Sequence, residues 1–122
     1  MMVAWKGAHR EPEILSENIE AEKVVLELRI VSTLFQFQGH FPSQPVLPGV
    51  AQLDWAVRYG MRFFKLSLPV KEVSQLKYRH FIIPDIDIIL ELNFRPHTKS
   101  IAFIYKSADK IFSSGTIGLK EV

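Results

Sequence analysis

The chain has 122 residues, 48% of them hydrophobic and nine of them Phe, which is enough for one core and too apolar for a disordered chain. A net charge of +2 makes no case for nucleic acid, and the lack of cysteine excludes disulfides and thiol chemistry. Residues 1–13 carry no apolar signal-peptide core, and no window approaches ~18 consecutive apolar residues, so we expect a single cytoplasmic domain over residues 1–122 without a membrane span.

Residues 1–13 read as irregular or as a short edge segment, with Pro12 as a boundary. Ile14, Leu15 and Ile19 sit in a short polar stretch that can hold one strand. From Lys23 to Val31, the residues Val24, Leu26, Leu28 and Ile30 alternate with Val25, Glu27, Arg29 and Val31, the pattern of a strand with one wetter face. Leu34 to Gln38 alternates again and leads into a loop holding Pro42, Pro45 and Pro48. Proline fixes φ and has no N–H, so this loop is stiff and neither a central strand nor a helix interior.

Pro48 suits the first position of a helix running to about Lys65. Val50, Asp54, Val57, Met61 and Phe64 recur at spacings of four and three, which places them on one face, flanked by Leu53. Pro69 stops the helix. Four strands follow, at 73–81, 86–94, 101–107 and 111–119, with turns at Pro84–Asp85, Pro96–Lys99 and 108–110. Gly115 and Gly118 in the last strand mark a bulge or a close backbone approach. Sequential strands with short turns imply an antiparallel meander packed on the helix, an α+β domain.

Asp54 is the anomaly of the helix, because a carboxylate on an apolar stripe is costly unless paired, neutralised or used. Upstream stands His40. Gly49 lies in the first helical turn, where backbone N–H groups lack intrahelical partners and can hold an anion. Each residue also has a plain explanation: a satisfied core His, an Asp paired with an Arg, a Gly chosen for packing. Arg58, Arg62 and Lys65 lie off the stripe and read first as a solvated face. His9, His80 and His97 show no metal-ligand spacing, and no metal is expected.

Gly39, His40, Phe41 and Pro42, then Pro45, Val46, Pro48 and Gly49, and Asp54 five residues on, resemble the signature of the FabA/FabZ-type 3-hydroxyacyl-[acyl carrier protein] dehydratases of the hotdog-fold superfamily. Lys77 to Leu92 also looks like the strand-turn-strand that follows the helix in that family, and the likeness extends from about Leu26 to Leu119. It implies an antiparallel sheet wrapped around one long central helix. It also implies a homodimer with two sites at its interface, each taking the His from one subunit and the acid from the other. By position, His40 and Asp54 become the catalytic pair, and the Gly49 N–H becomes the donor to the substrate carbonyl. Phe41, Val46, Pro48, Trp55 and Arg58 become substrate-binding. An Asp at this position resembles the FabA and aryl-polyene-type branches. Ser43, Trp55 and Arg58 depart from the usual Gly, Ala and Gln.

The implied reaction dehydrates a 3-hydroxyacyl thioester to the trans-2-enoyl thioester, in fatty-acid or polyene-type biosynthesis. Neutral His40 would take the α-proton, the Gly49 N–H would hold the enolate-like oxygen, and Asp54, its proton affinity raised by burial, would protonate the leaving hydroxyl. No cofactor is needed beyond the phosphopantetheine that carries the substrate on acyl carrier protein or coenzyme A. Arg58, Arg62, Lys65 and Arg79 are a candidate docking patch for an acidic carrier. A hotdog acyl-thioesterase and a non-catalytic hotdog acyl-binding or partner subunit remain as alternatives.

Overall fold

The computed structural model describes residues 11–34, 37 and 45–121; Gly39, His40, Phe41, Pro42 and Ser43 lie outside the described residues. The elements are β1 (Glu13–Ile19), β2 (Lys23–Ile30), α1 (Gly49–Phe63), β3 (Val70–Tyr78), β4 (Ile86–Arg95), β5 (Ser100–Lys106) and β6 (Ile111–Leu119). All six strands form one antiparallel sheet in the order β1-β2-β4-β5-β6-β3.

The expected simple meander is therefore corrected. β4, β5 and β6 do follow one another as neighbours, but β3 lies beyond β6 at the sheet edge while β4 pairs with β2. Since every pairing is antiparallel, β2 and β3 run in the same direction with three strands between them. Such a connection cannot be a hairpin, and the segment containing α1 supplies the crossover. Of the expected strand Leu34–Gln38, only Leu34 and Phe37 are described, and the Phe37 N–H donates to the Leu34 carbonyl at 3.1 Å, a turn contact.

The core follows the alternation of the strands. Val24, Leu26, Leu28 and Ile30 of β2, Ile88, Leu90 and Leu92 of β4, and Ile101, Phe103 and Tyr105 of β5 all point into one cluster with α1. Gly60 permits close contact of helix and sheet, because a Cβ there would stand 2.8 Å from Ile101 Cδ1. The helix faces the sheet with Ala51, Gln52, Trp55, Ala56, Tyr59 and Gly60. This corrects the expected stripe. Val50 is 78% exposed, and Val57, Met61 and Phe64 only flank the core. Small Ala and Gly beside broad Trp and Tyr fill the gap to the sheet better than a row of branched residues. The helix ends in a Schellman turn, with Lys65 at φ 56° and the Leu66 N–H donating to the Met61 carbonyl at 2.9 Å.

β3 is an irregular edge. Ser74 pairs with Thr116 and Lys77 with Ser114, so Gln75 and Leu76 oppose Gly115 alone, and Gln75 takes φ 54°. The bulge thus lies on β3, while Gly115 provides the close approach: a Cβ there would be 2.8 Å from the Phe103 ring. A bulged edge carrying Lys71 and Lys77 resists adventitious pairing. Among the described residues no helix is long and apolar enough to cross a membrane.

Candidate active site at the start of the helix

The chain reaches α1 in an extended conformation, with Pro48 at φ −61° and ψ 146° as N-cap. Helical backbone starts at Gly49, one residue later than expected, because Pro48 already lends its carbonyl to the N–H groups of Ala51 (3.1 Å) and Gln52 (3.3 Å). The N–H groups of Gly49 and Val50 precede any helical carbonyl that could accept them. Leading into this turn, the Leu47 N–H donates to the Ile82 carbonyl at 2.7 Å, which ties the segment to the β3–β4 connection.

That connection forms the opposite wall. The N–H groups of Arg79 and His80 both donate to the Phe112 carbonyl, at 2.8 and 3.2 Å, holding the chain beside β6 past the end of β3. Between the walls lies a pocket of about 500 Å³, lined by Val46 to Gly49 and Gln52 on one side and by Tyr78 to Phe81 on the other. Phe81, 76% exposed, stands at its rim. Its lining combines apolar residues with Gly49 at the helix start and with Arg79 and His80, a composition suited to an acyl group with a polar head.

Four hydrogen bonds fix the helix side of the pocket. Buried Gln52 donates through Nε2 to the Leu47 carbonyl at 3.3 Å and accepts the Ser113 hydroxyl at 2.6 Å through Oε1. Its backbone carbonyl accepts the Tyr105 hydroxyl at 2.7 Å, and complete burial pushes the Tyr105 phenol up. Nearer the mouth, the Tyr78 hydroxyl donates to the Gly49 carbonyl at 2.8 Å. Partial burial raises the Tyr78 phenol as well.

The sequence-predicted residues separate accordingly. Val46, Pro48 and Gly49 meet in the pocket; His40 and Phe41 lie outside the described residues. Asp54 is not on a buried face. Its side chain is 55% exposed and its carboxylate sits 3.0 Å from Arg58 Nε, with Arg58 Nη1 in turn 3.8 Å from Glu11. The expected burial is thus missing from the chain by itself, because the buried stripe runs through residues 51, 52, 55, 56, 59 and 60. Arg58 faces solvent beside Asp54, outside the pocket lining. Trp55 is 1% exposed in the core and outside that lining. Arg79, read as part of a docking patch, lines the pocket instead, apart from Arg58, Arg62 and Lys65 on and just after α1. Gln52, Tyr78, His80 and Phe81 were not anticipated. The signal for three of them was the polar-aromatic run Tyr78 to Phe81 between the strand pattern and Pro84.

A model of the ApeI-like family, described as ApeI dehydratase, matches residues 16–116. The 3-hydroxyacyl-[acyl-carrier-protein] dehydratase FabZ of Aliivibrio fischeri is 31% identical over 107 residues, covering 77% of this chain and 71% of the relative. Among solved structures, the dehydratase heterocomplex ApeI:P from Xenorhabdus doucetiae superposes with a TM-score of 0.85 at 28% identity, over 91% of this chain and 99% of that one. An uncharacterized protein from Erwinia carotovora subsp. atroseptica gives 0.74 at 31% identity, over 91% and 97%. The sheet and helix described above are the hotdog fold.

Proposed function

The chain belongs to the ApeI-like dehydratase family, and on that premise we propose that it removes water from a 3-hydroxyacyl thioester to give the trans-2-enoyl thioester. The substrate arrives on the phosphopantetheine of acyl carrier protein or coenzyme A, in the cytoplasm, for fatty-acid or polyene-type biosynthesis. The observation that carries this reading is the apolar pocket ending at Gly49, whose N–H opens the helix. As the α-proton leaves, charge grows on the thioester oxygen. An N–H donor there, aided by the helix dipole, is worth about 3 kcal/mol of transition-state stabilisation.

His40 serves as the base for the α-proton, and Asp54 as the acid that delivers a proton to the leaving hydroxyl. Asp54 lies outside the pocket of its own chain and faces outward. This supports a site completed by a second copy, with His40 and Gly49 from one protomer and Asp54 from the other. The test is to follow the mass of a 3-hydroxyacyl carrier-protein thioester. Loss of 18 Da, about one water, marks dehydration, whereas loss of the acyl group marks hydrolysis. His40→Ala and Asp54→Ala should each lose about 10²- to 10⁴-fold in rate. Mixing the two inactive variants should restore about a quarter of wild-type activity, since half of exchanged dimers regain one intact site. No recovery in a mixture shown to exchange subunits would refute the shared site.

A further inference from the structure

We propose that Tyr78 is a positioning residue for the N–H donors that open α1, acting through its hydroxyl on the Gly49 carbonyl. The proposal rests on the dehydratase reading for its consequence in catalysis, and on geometry for the contact itself. The hydroxyl donates to the Gly49 carbonyl at 2.8 Å. The ring tip lies against the same residue, since a Cβ at Gly49 would stand 2.6 Å from Tyr78 Cζ and 2.8 Å from Oη. Both residues line the pocket.

The N–H donors of the helix start belong to two planar peptide groups, so the direction of each N–H is fixed by the oxygen at the other end of its plane. The peptide that carries the Gly49 N–H has the Pro48 carbonyl, held by Ala51 and Gln52 N–H groups. The next, which carries the Val50 N–H, has the Gly49 carbonyl, and this is the oxygen that Tyr78 holds. A proton donated to that oxygen also polarises the peptide and strengthens its N–H as a donor. Both peptides are therefore tied before substrate arrives: the helix holds each of them, since Gly49 is the first residue of α1, and the far end of β3 adds a second donor at the Gly49 carbonyl. Preorganisation of this kind is what lowers the cost of stabilising charge that develops only in the transition state.

Burial does not explain the residue. Tyr78 ends an edge strand whose other side chains are mostly exposed, and it is itself 48% exposed. Phenylalanine would keep the ring contact with Gly49 and lose only the hydrogen bond, so the hydroxyl is the atom to remove.

The experiment compares wild type, Tyr78→Phe and Tyr78→Ala by steady-state kinetics on a 3-hydroxydecanoyl carrier-protein thioester, by thermal melting and by ¹H–¹⁵N spectra. Tyr78→Phe should lower kcat about five- to tenfold, as expected for one lost hydrogen bond, and leave KM within about twofold. Its melting temperature should stay within about 2 °C of wild type. The Val50 amide resonance should move and the Gly49 and Val50 amides should exchange faster. Tyr78→Ala should lower kcat further. An unchanged kcat with unmoved amides overturns the proposal. A fall in kcat with unmoved amides also overturns it, by assigning the hydroxyl to direct substrate contact. A loss of rate that tracks a large loss of melting temperature overturns it in favour of a structural role. If wild type dehydrates no such thioester, the dehydratase reading fails separately, and the Val50 and Gly49 amides still decide whether Tyr78 holds the helix start.

Discussion

Replacing Trp55 by Ala separates core from pocket, and its magnitude follows from burial. The residue is 1% exposed within the cluster formed by α1 and the sheet. Burying an aromatic side chain removes about 150–250 Å² from water, which at ~25 cal/mol per Å² corresponds to about 4–6 kcal/mol. Truncations of core Trp and Phe cost about 3–5 kcal/mol, since the unfolded chain hides part of that area and the cavity partly collapses. We expect about 4 kcal/mol. For a domain of this size each kcal/mol moves the melting temperature by about 4 °C, so Trp55→Ala should melt about 15 °C below wild type. Calorimetry reads the shift, and urea titration with an unchanged m-value confirms that it is stability. At 15 °C, where the variant remains folded, the ratio of kcat/KM for short and long 3-hydroxyacyl thioesters should equal that of wild type. A melting shift under about 3 °C, or a ratio changed more than about fivefold at intact stability, would refute the core assignment and return the indole to the pocket wall.

Gln52→Ala should cost about 2–4 kcal/mol in urea titrations, because it strands the Ser113 hydroxyl and the Leu47 carbonyl. Adding Ser113→Ala should cost clearly less than the sum of the single changes, and strict additivity would show that the pair is not coupled. Glu91, hydrogen-bonded by Lys106 at 2.9 Å and Asn93 at 3.1 Å, has its carboxyl held below the usual value of 4.5, first by Lys106 and then by Asn93. Its stabilisation is full above that value and is lost as pH falls through the lower folded-state pKa, where the unfolded chain binds more protons. Glu91→Gln should therefore flatten the acid limb of melting temperature against pH below 4.5, and parallel limbs for the two proteins would count against it.

The strands after Ile86 were legible because turn chemistry brackets them. Pro84–Asp85 and Pro96–Lys99 set the breaks, and β6 spans Ile111–Leu119 as read from alternation. β3 was read three residues late, at 73–81 instead of Val70–Tyr78, because the bulge at Gln75 interrupts its period of two. Residues assigned to its end, Arg79 to Phe81, line the pocket instead. Strand order was not legible at all. Alternation reports which face of a strand is buried and carries no information about which neighbour it joins, so the displacement of β3 beyond β6 has no local signature.

The site shows the same division. Proline and glycine restrict the backbone directly, so the turn into α1 and the place of Gly49 at its start could be read from spacing alone. The environment of Asp54 could not. A helical period of apolar residues marks a face that leaves water, and it is equally consistent with a core and with a contact between chains. In α1 both exist. One face, through Trp55, Ala56 and Tyr59, meets the sheet. The other, through Val50, Asp54, Val57 and Met61, is exposed or only flanks the core. Val50 at 78% exposure beside an outward acid is an unfavourable arrangement for a surface that stays bare. Among the described residues nothing deeper than Arg58 meets the Asp54 carboxylate, which is the arrangement that the proposed second copy would complete.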